Sequence, residues 1–270
     1  MSGRPSLVVG AGLVGLVAAA GLAAPWLAPH DPFVQDLANA LQPPSAAHRL
    51  GTDQFGRDVL ARLLYGARIS LVEVGLSVGL AVGAGVPLGL LAGWYGAWVD
   101  EAVGWGLDIL FAFPGIVLAI LIVSVLGPGL FNLLLAIAIF SVPVYGRLAR
   151  NLTLSLKGME FTEAARAVGA GTPRILLHHV LRNALAPLIV QATLTAGTVI
   201  LSAASLSFLG LGVQPPLPEW GAMMSSGREL LGVNTTLSLF PGLAIAVAVL
   251  GFNLLGDGLR DLLDPRSGDR

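Results

Sequence analysis

Few side chains in this sequence could carry covalent or acid–base chemistry, and their spacing forms no catalytic set. There is no cysteine, which removes disulfides and thiolate nucleophiles. The four histidines, His30, His48, His178 and His179, form neither a His-Glu-x-x-His pattern nor an i,i+4 pair suited to zinc. No catalytic residue and no metal ligand is therefore assigned. The only lysine is Lys157, preceded by Leu156, so the Gly-x-x-x-x-Gly-Lys-Ser/Thr cradle for nucleotide phosphates is missing. Energy for any directed process must come from a partner or a gradient. Glu73 and Asp108 stand at the ends of apolar runs. Ionisable groups at membrane depth are functional candidates, but both are placed to reach the interface, where a structural role suffices.

Two polar patterns remain. Gln191, Thr195, Thr198, Ser202 and Ser205 recur at steps of 4, 3, 4 and 3, which puts them on one face of a helix. That face could be hydrogen-bonding glue between helices or the wall of a hydrated path. The second pattern is a charged stretch from Arg147 to Arg182, holding Arg147, Arg150, Lys157, Arg166, Arg174 and Arg182. It holds six of the fifteen basic residues.

The elements that must position these residues follow from composition. The 270 residues are 55% hydrophobic and 11% charged, with mean hydropathy +0.80. A soluble domain carries about 25% charged residues, so the solvent here is largely lipid. Uncharged runs cover 5–30, 74–99, 109–146, 183–218 and 230–256. About 20 apolar residues span a bilayer as a helix, and Gly127-Pro128-Gly129 divides the longest run. The reading is an all-α integral membrane protein with six transmembrane helices near 7–28, 69–94, 102–126, 130–148, 184–208 and 237–257. The runs are too long for a β-barrel and lack period-2 alternation. The first is too long to be a cleaved signal peptide and is followed by five more.

Ten of the fifteen basic residues fall on one side: Arg4, the six in the charged stretch, and Arg260, Arg266 and Arg270. Arg49, Arg57, Arg62, Arg68 and Arg228 fall on the other. The positive-inside rule puts both termini and the charged loop in the cytoplasm. The external segment 29–68 begins with the helix stop Pro29-His30-Asp31-Pro32. From Asp53 to Tyr65 it reads as an amphipathic helix lying along the outer interface, with Asp53–Arg57 and Asp58–Arg62 as i,i+4 pairs. In the second span, Gly75, Gly79 and Gly83, then Gly85, Gly89 and Gly93, mark a close-packing seam, and Pro87 a kink. Trp94, Tyr95, Trp98 and Trp105 suit an aromatic belt.

Within the loop 149–182, Glu160 to Ala167 favours helix. Gly169 and Gly171 suit a left-handed stop, and Thr172-Pro173 an N-cap and first turn. The loop should fold as helix, glycine turn, helix. The residues 258–270 after the last span read as a cytoplasmic tail.

This loop resembles the Glu-Ala-Ala-x-x-x-Gly motif of ABC-importer permease subunits, matched at Glu163, Ala164, Ala165 and Gly169. The family usually continues to a proline, where this chain has His179-Val180-Leu181-Arg182. The segments 50–53, 56–58 and 65–68 are similar to the dipeptide, oligopeptide and nickel permease branch. So are 207–212, Glu219-Trp220-Gly221, Asn253, Gly256-Asp257, 259–261 and Asp264-Pro265.

The resemblance implies a coupling helix that docks on an ATPase through Glu160, Glu163, Ala164, Ala165, Arg166 and Gly169. It implies a second, homologous permease subunit and two ATPase subunits. An extracytoplasmic binding protein would deliver di- or oligopeptides, nickel or a similar small solute. ATP and Mg would be bound by the ATPases and no cofactor by this chain, in a bacterial or archaeal cytoplasmic membrane. No nucleic-acid partner is expected. The alternative is a gradient-driven secondary transporter, but midplane carboxylates and an inverted repeat are not evident. An intramembrane enzyme would need a catalytic pair that the spans do not supply.

Overall fold

A computed structural model describes residues 3–263. Arg266, Arg270 and the Asp264-Pro265 pair lie outside the described residues, as does the side chain of Arg4. The described chain is helical, with one isolated bridge between Thr52 and Asp58. Its principal helices are α1 (Gly3–Leu22), α2 (Val59–Tyr95), α3 (Ala97–Phe111), α4 (Gly115–Leu126), α5 (Leu130–Lys157), α6 (Glu160–Ala167), α7 (Thr172–Phe208), α8 (Trp220–Arg228) and α9 (Thr236–Leu263).

Five of these, α1, α2, α5, α7 and α9, are long and apolar enough to cross a bilayer, and α3 with α4 makes a sixth span if the bent pair is one. The expected third span is thus not one straight helix: α3 and α4 meet at 86°. Pro114 explains the break, since it has no N–H to continue the ladder and sits extended at ψ 127°. The expected limits of the other spans also shift. At 37 residues, α2 is about 55 Å long at 1.5 Å per residue, well beyond a hydrocarbon core. It therefore absorbs residues 59–65, which do not form a separate interfacial helix. The fifth helix likewise runs to Lys157, so 149–157 belong to it and not to a loop.

Helices α2 and α5 pack closely because glycine lets their backbones meet. A Cβ on Gly85, Gly89 or Gly93 would come within 2.6, 2.2 and 2.7 Å of the carbonyl oxygens of Val142, Gly146 and Arg150. Gly75, Gly79 and Gly83 have nothing within 4 Å. Only the second half of the glycine seam is used inside this chain. On the other side α1 lies along α9, with Gly10 and Gly258 against the partner backbones.

Candidate functional site

The charged stretch gives α6 a two-faced build. Thr162 and Ala165 are buried, while Glu160, Glu163, Ala164, Arg166 and Gly169 are exposed. Ala165 faces inward: its methyl packs in a cluster with Trp94, Tyr145, Ile175, Leu176 and Val180. The Thr162 hydroxyl donates to the Leu156 carbonyl at 2.9 Å. The helix ends in a Schellman turn, in which the Gly169 N–H donates to Arg166 O and the Ala170 N–H to Ala165 O, both at 3.0 Å. Gly169 sits at φ +84° with open space around it, so glycine is needed there for backbone conformation alone.

Trp94, at the end of α2, anchors this projection. Lys157 donates to its carbonyl oxygen, and the guanidinium of Arg166 lies 5.3 Å from its ring centroid. Trp94 is thus buried, unlike the exposed Tyr95, Trp98 and Trp105, and belongs to the core and not to an aromatic belt. Arg150 forms a two-point pair with Asp100 of α3, one contact being 2.6 Å. Arg147 meets Asp108 at 2.6 Å in an exposed pair. Asp108 reaches the surface as expected.

After Gly169 a new helix starts at Thr172 as expected, but it is not confined to the loop. Gly171 is the N-cap, Thr172 makes no cap bond, and the helix runs without interruption from Thr172 to Phe208. Residues 175–180 widen into a π-helical turn, and the helix then passes Arg182 in ordinary α geometry. The missing motif proline leaves this helix continuous. His178 is exposed and His179 half-buried along it.

At the opposite end of the bundle a group of charges is buried, while Arg49, Arg68 and Arg228 stay exposed. Asp53 accepts from Arg57 at 2.7 Å, and Arg62 approaches the same carboxylate at 3.6 Å while donating to the carbonyls of Pro32 and Pro216. The expected Asp58–Arg62 pair does not form. Asp58 instead caps α2, accepting from the Ala61 N–H at 2.7 Å. Glu219 caps α8, accepting from the N–H groups of Gly221 and Ala222 at 2.8 Å each. Its burial pushes its carboxyl above the ordinary range, against the pull of those two N–H groups and Ser207. Trp220 donates to Leu63 O at 3.0 Å, its indole against Gly66.

Glu73 does not reach the interface as expected. It is fully buried, and neither carboxyl oxygen meets hydrogen-bond geometry with any described group, Ser70 and Glu219 being its polar neighbours.

The polar stripe on α7 is not uniform. Thr195 is buried and accepts from the Gln191 amide at 3.2 Å. Gln191, Ser202 and Ser205 are half-buried and Thr198 is exposed. Ser205 spends its hydroxyl on the Leu201 carbonyl of its own helix at 2.7 Å. The stripe thus has a packed end at Thr195 and an open end beyond it.

A family model described as "Binding-protein-dependent transport system inner membrane component" matches residues 85–269, and "N-terminal TM domain of oligopeptide transport permease C" matches residues 3–44. The chain belongs to this permease family. It is the permease subunit of an ABC importer, an inner-membrane multi-pass component whose ATPase is a separate subunit. It is 50% identical to the dipeptide transport system permease protein DppC of Alkalihalophilus pseudofirmus over 84% of this chain and 75% of that one. It is 51% identical to the glutathione transport system permease protein GsiD of Shigella flexneri serotype 5b over 89% of this chain and 80% of that one. In fold it resembles an inward-facing structure of the MetNI methionine ABC transporter, with TM-score 0.59, 21% identity, and coverage of 74% of this chain and 96% of that one. The secondary-transporter alternative gains no support from any of these likenesses.

Contacts in the fold give a part to several residues that a single sequence could not reveal. The permease's Glu219-Trp220-Gly221 run is structural: a cap, a packed indole, and a glycine whose Cβ would meet Ala204 O at 2.2 Å. The anchoring of α6 by Trp94 and Lys157 had no signal in spacing, because those residues are 63 positions apart.

Proposed function

We propose that this permease subunit forms half of a translocation pathway for short peptides of the dipeptide or glutathione class. That substrate class is supported by the names of relatives about half identical over most of the chain. In this reading α6 docks on an ATPase subunit through Glu160, Glu163, Ala164, Arg166 and Gly169. Two ATPase subunits hold ATP and Mg, and an extracytoplasmic binding protein delivers the peptide. The loop and both termini face the cytoplasm, in accord with the bias of basic residues. The observation that carries the docking assignment is the build of α6: a short rigid helix, anchored on Trp94 by one face, with Glu163 free on the other.

The second permease subunit is similar to this one but distinct, and we assign its contact to the face of α2 that carries Gly75, Gly79 and Gly83, where nothing of this chain lies within 4 Å. Thr198, Ser202 and Ser205 line the path, and Gln191 with Thr195 supports its wall. ATP-driven closure of the ATPase pair pushes α6, and Trp94 and Lys157 pass the movement to α2 and α5, a two-state rearrangement.

The test is peptide uptake by the assembled transporter. Glu163→Lys and Gly169→Val are expected to abolish ATP-dependent uptake while the chain still inserts. Normal uptake with normal ATPase co-purification in both variants would overturn the assignment.

A further inference from the structure

Outside the coupling end and the α7 stripe, one cluster among the described residues has the donor set of a metal centre. We propose that His30, His48 and Asp58 form a binding site for a divalent transition metal, with zinc as its representative, on the end of the permease opposite α6.

The three residues come from different parts of the chain. His30 follows the first span, His48 lies in the loop beyond it, and Asp58 is the N-cap of α2. Their ligand atoms all lie within 4.8 Å of one another. The Nδ1 atoms of both imidazoles converge on one oxygen, Asp58 Oδ2, at 3.4 Å from His30 and 2.9 Å from His48. Zinc binds imidazole nitrogen and carboxylate oxygen at about 2.0–2.2 Å, and a tetrahedron with such bonds has edges of roughly 3.3 Å. Both spacings are thus close to those between ligands of one ion. The third edge, between the two imidazoles, is no longer than 4.8 Å, and the rings lie with centroids 4.6 Å apart at 32°, so a small closure of the exposed His30 ring completes the set.

A hydrogen bond alone accounts for less of this geometry. The His48 contact suffices to position Asp58, yet a second imidazole is turned onto the same oxygen at a distance too long for a good hydrogen bond. The other oxygen, Oδ1, is taken by the Ala61 N–H. That bond fixes the carboxylate, so Oδ2 is presented in a set direction. Ligands held by second contacts are a property of metal sites. The Asp58 side chain is fully buried, that of His48 is 18% exposed and that of His30 43% exposed. A hollow of about 300 Å³ bordered by Pro29, His30, Asp31, Phe33 and Tyr65 opens beside His30. The hollow borders His30 but not His48 or Asp58, so it opens the His30 side of the site to solvent and to a water as fourth ligand. Two imidazoles and one carboxylate select zinc, nickel or copper over calcium and magnesium, which prefer all-oxygen sites. The bound ion would tie the segment after α1 and the following loop to the first turn of α2.

The experiment uses the full-length chain purified in detergent with a histidine-free tag, stripped of metal and titrated with Zn2+ and with Co2+. The expected result is one zinc per chain, the visible absorption of low-symmetry cobalt, and a higher melting temperature with zinc. His30→Ala, His48→Ala and Asp58→Asn should each weaken zinc binding by more than the roughly 10- to 100-fold that loss of an outer-shell partner costs. Asn keeps the helix cap, and His30 is exposed enough for its loss to spare the fold, so metal-free melting shows whether each variant is native. The double variant His178→Ala/His179→Ala should bind zinc as the parent does. Retained affinity in any folded single variant, or loss of binding in that double variant alone, overturns the three-ligand site.

Discussion

The two ends of the helical bundle use charge in opposite ways. At the α6 end Glu160, Glu163 and Arg166 are exposed, and the element that carries them is held by apolar packing and by Trp94. At the other end Asp53, Arg57, Arg62, Asp58 and Glu219 are buried, each with a partner or a backbone group to satisfy it. The three at the first end are left over for another molecule, whereas these five at the second serve first to build the fold. A basic or acidic residue in a membrane chain therefore says little about docking until its exposure is known. Burying an ion is tolerable only with its bonds complete, while an exposed one is cheap and available.

The change expected to act most strongly is Arg62→Ala. It leaves the buried Asp53 carboxylate with Arg57 alone and strips the Pro32 and Pro216 carbonyls of their donor. Breaking a buried pair from one side destabilises by about 3–5 kcal/mol, so a large fall in melting temperature of the detergent-solubilised permease is expected. A wild-type melt would mean that the buried charges hold nothing together.

Next in size is Gly89→Val, which drives a side chain against Gly146 O and should cost about 1–3 kcal/mol through overpacking. Gly79→Val, with open space around it, should leave the isolated chain within about 0.5 kcal/mol of the parent. In the assembled transporter Gly79→Val should instead reduce co-purification of the second permease. Equal melting shifts for the two variants would erase the difference between the two halves of the seam.

Smaller again is Asp108→Ala. Its pair with Arg147 is exposed on both sides, and such pairs contribute about 0–1 kcal/mol. Thermal unfolding should barely move, and any shift should shrink further in high salt. Least of all should Glu163→Lys alter stability, within about 0.5 kcal/mol, although transport is lost. That separation of stability from uptake is the sharpest expression of the contrast between the ends.

Much of this was legible without coordinates. Apolar run length located the middle of each span, because lipid leaves the backbone no alternative to helix, although helix ends lie as much as 12 residues outside the expected limits, as at Thr172 of α7. Gly169 was legible as the stop of α6, since a left-handed helix end calls for glycine. Other features were not. Whether 53–65 lay on the membrane or extended α2 depended on what its charges met, and the nearest partner of Arg62 in space includes Pro216, 154 positions away. Glu73 stands five residues past Arg68 and reads as interfacial, yet it is buried beside Glu219, the cap of α8. Ala165 and Glu163 are two positions apart, and only the packing of α6 on Trp94 separated the core residue from the free one.

The sequence by itself determined the class of solvent, the helical secondary structure and the permease family, because these follow from local composition and from motifs read in order. Tertiary structure alone decided which charges are spent inside the fold and which remain for a partner, and which half of the glycine seam is filled. It also gathered His30, His48 and Asp58 around one point. Each of these depends on contacts between segments distant along the chain, where periodicity and spacing carry no information.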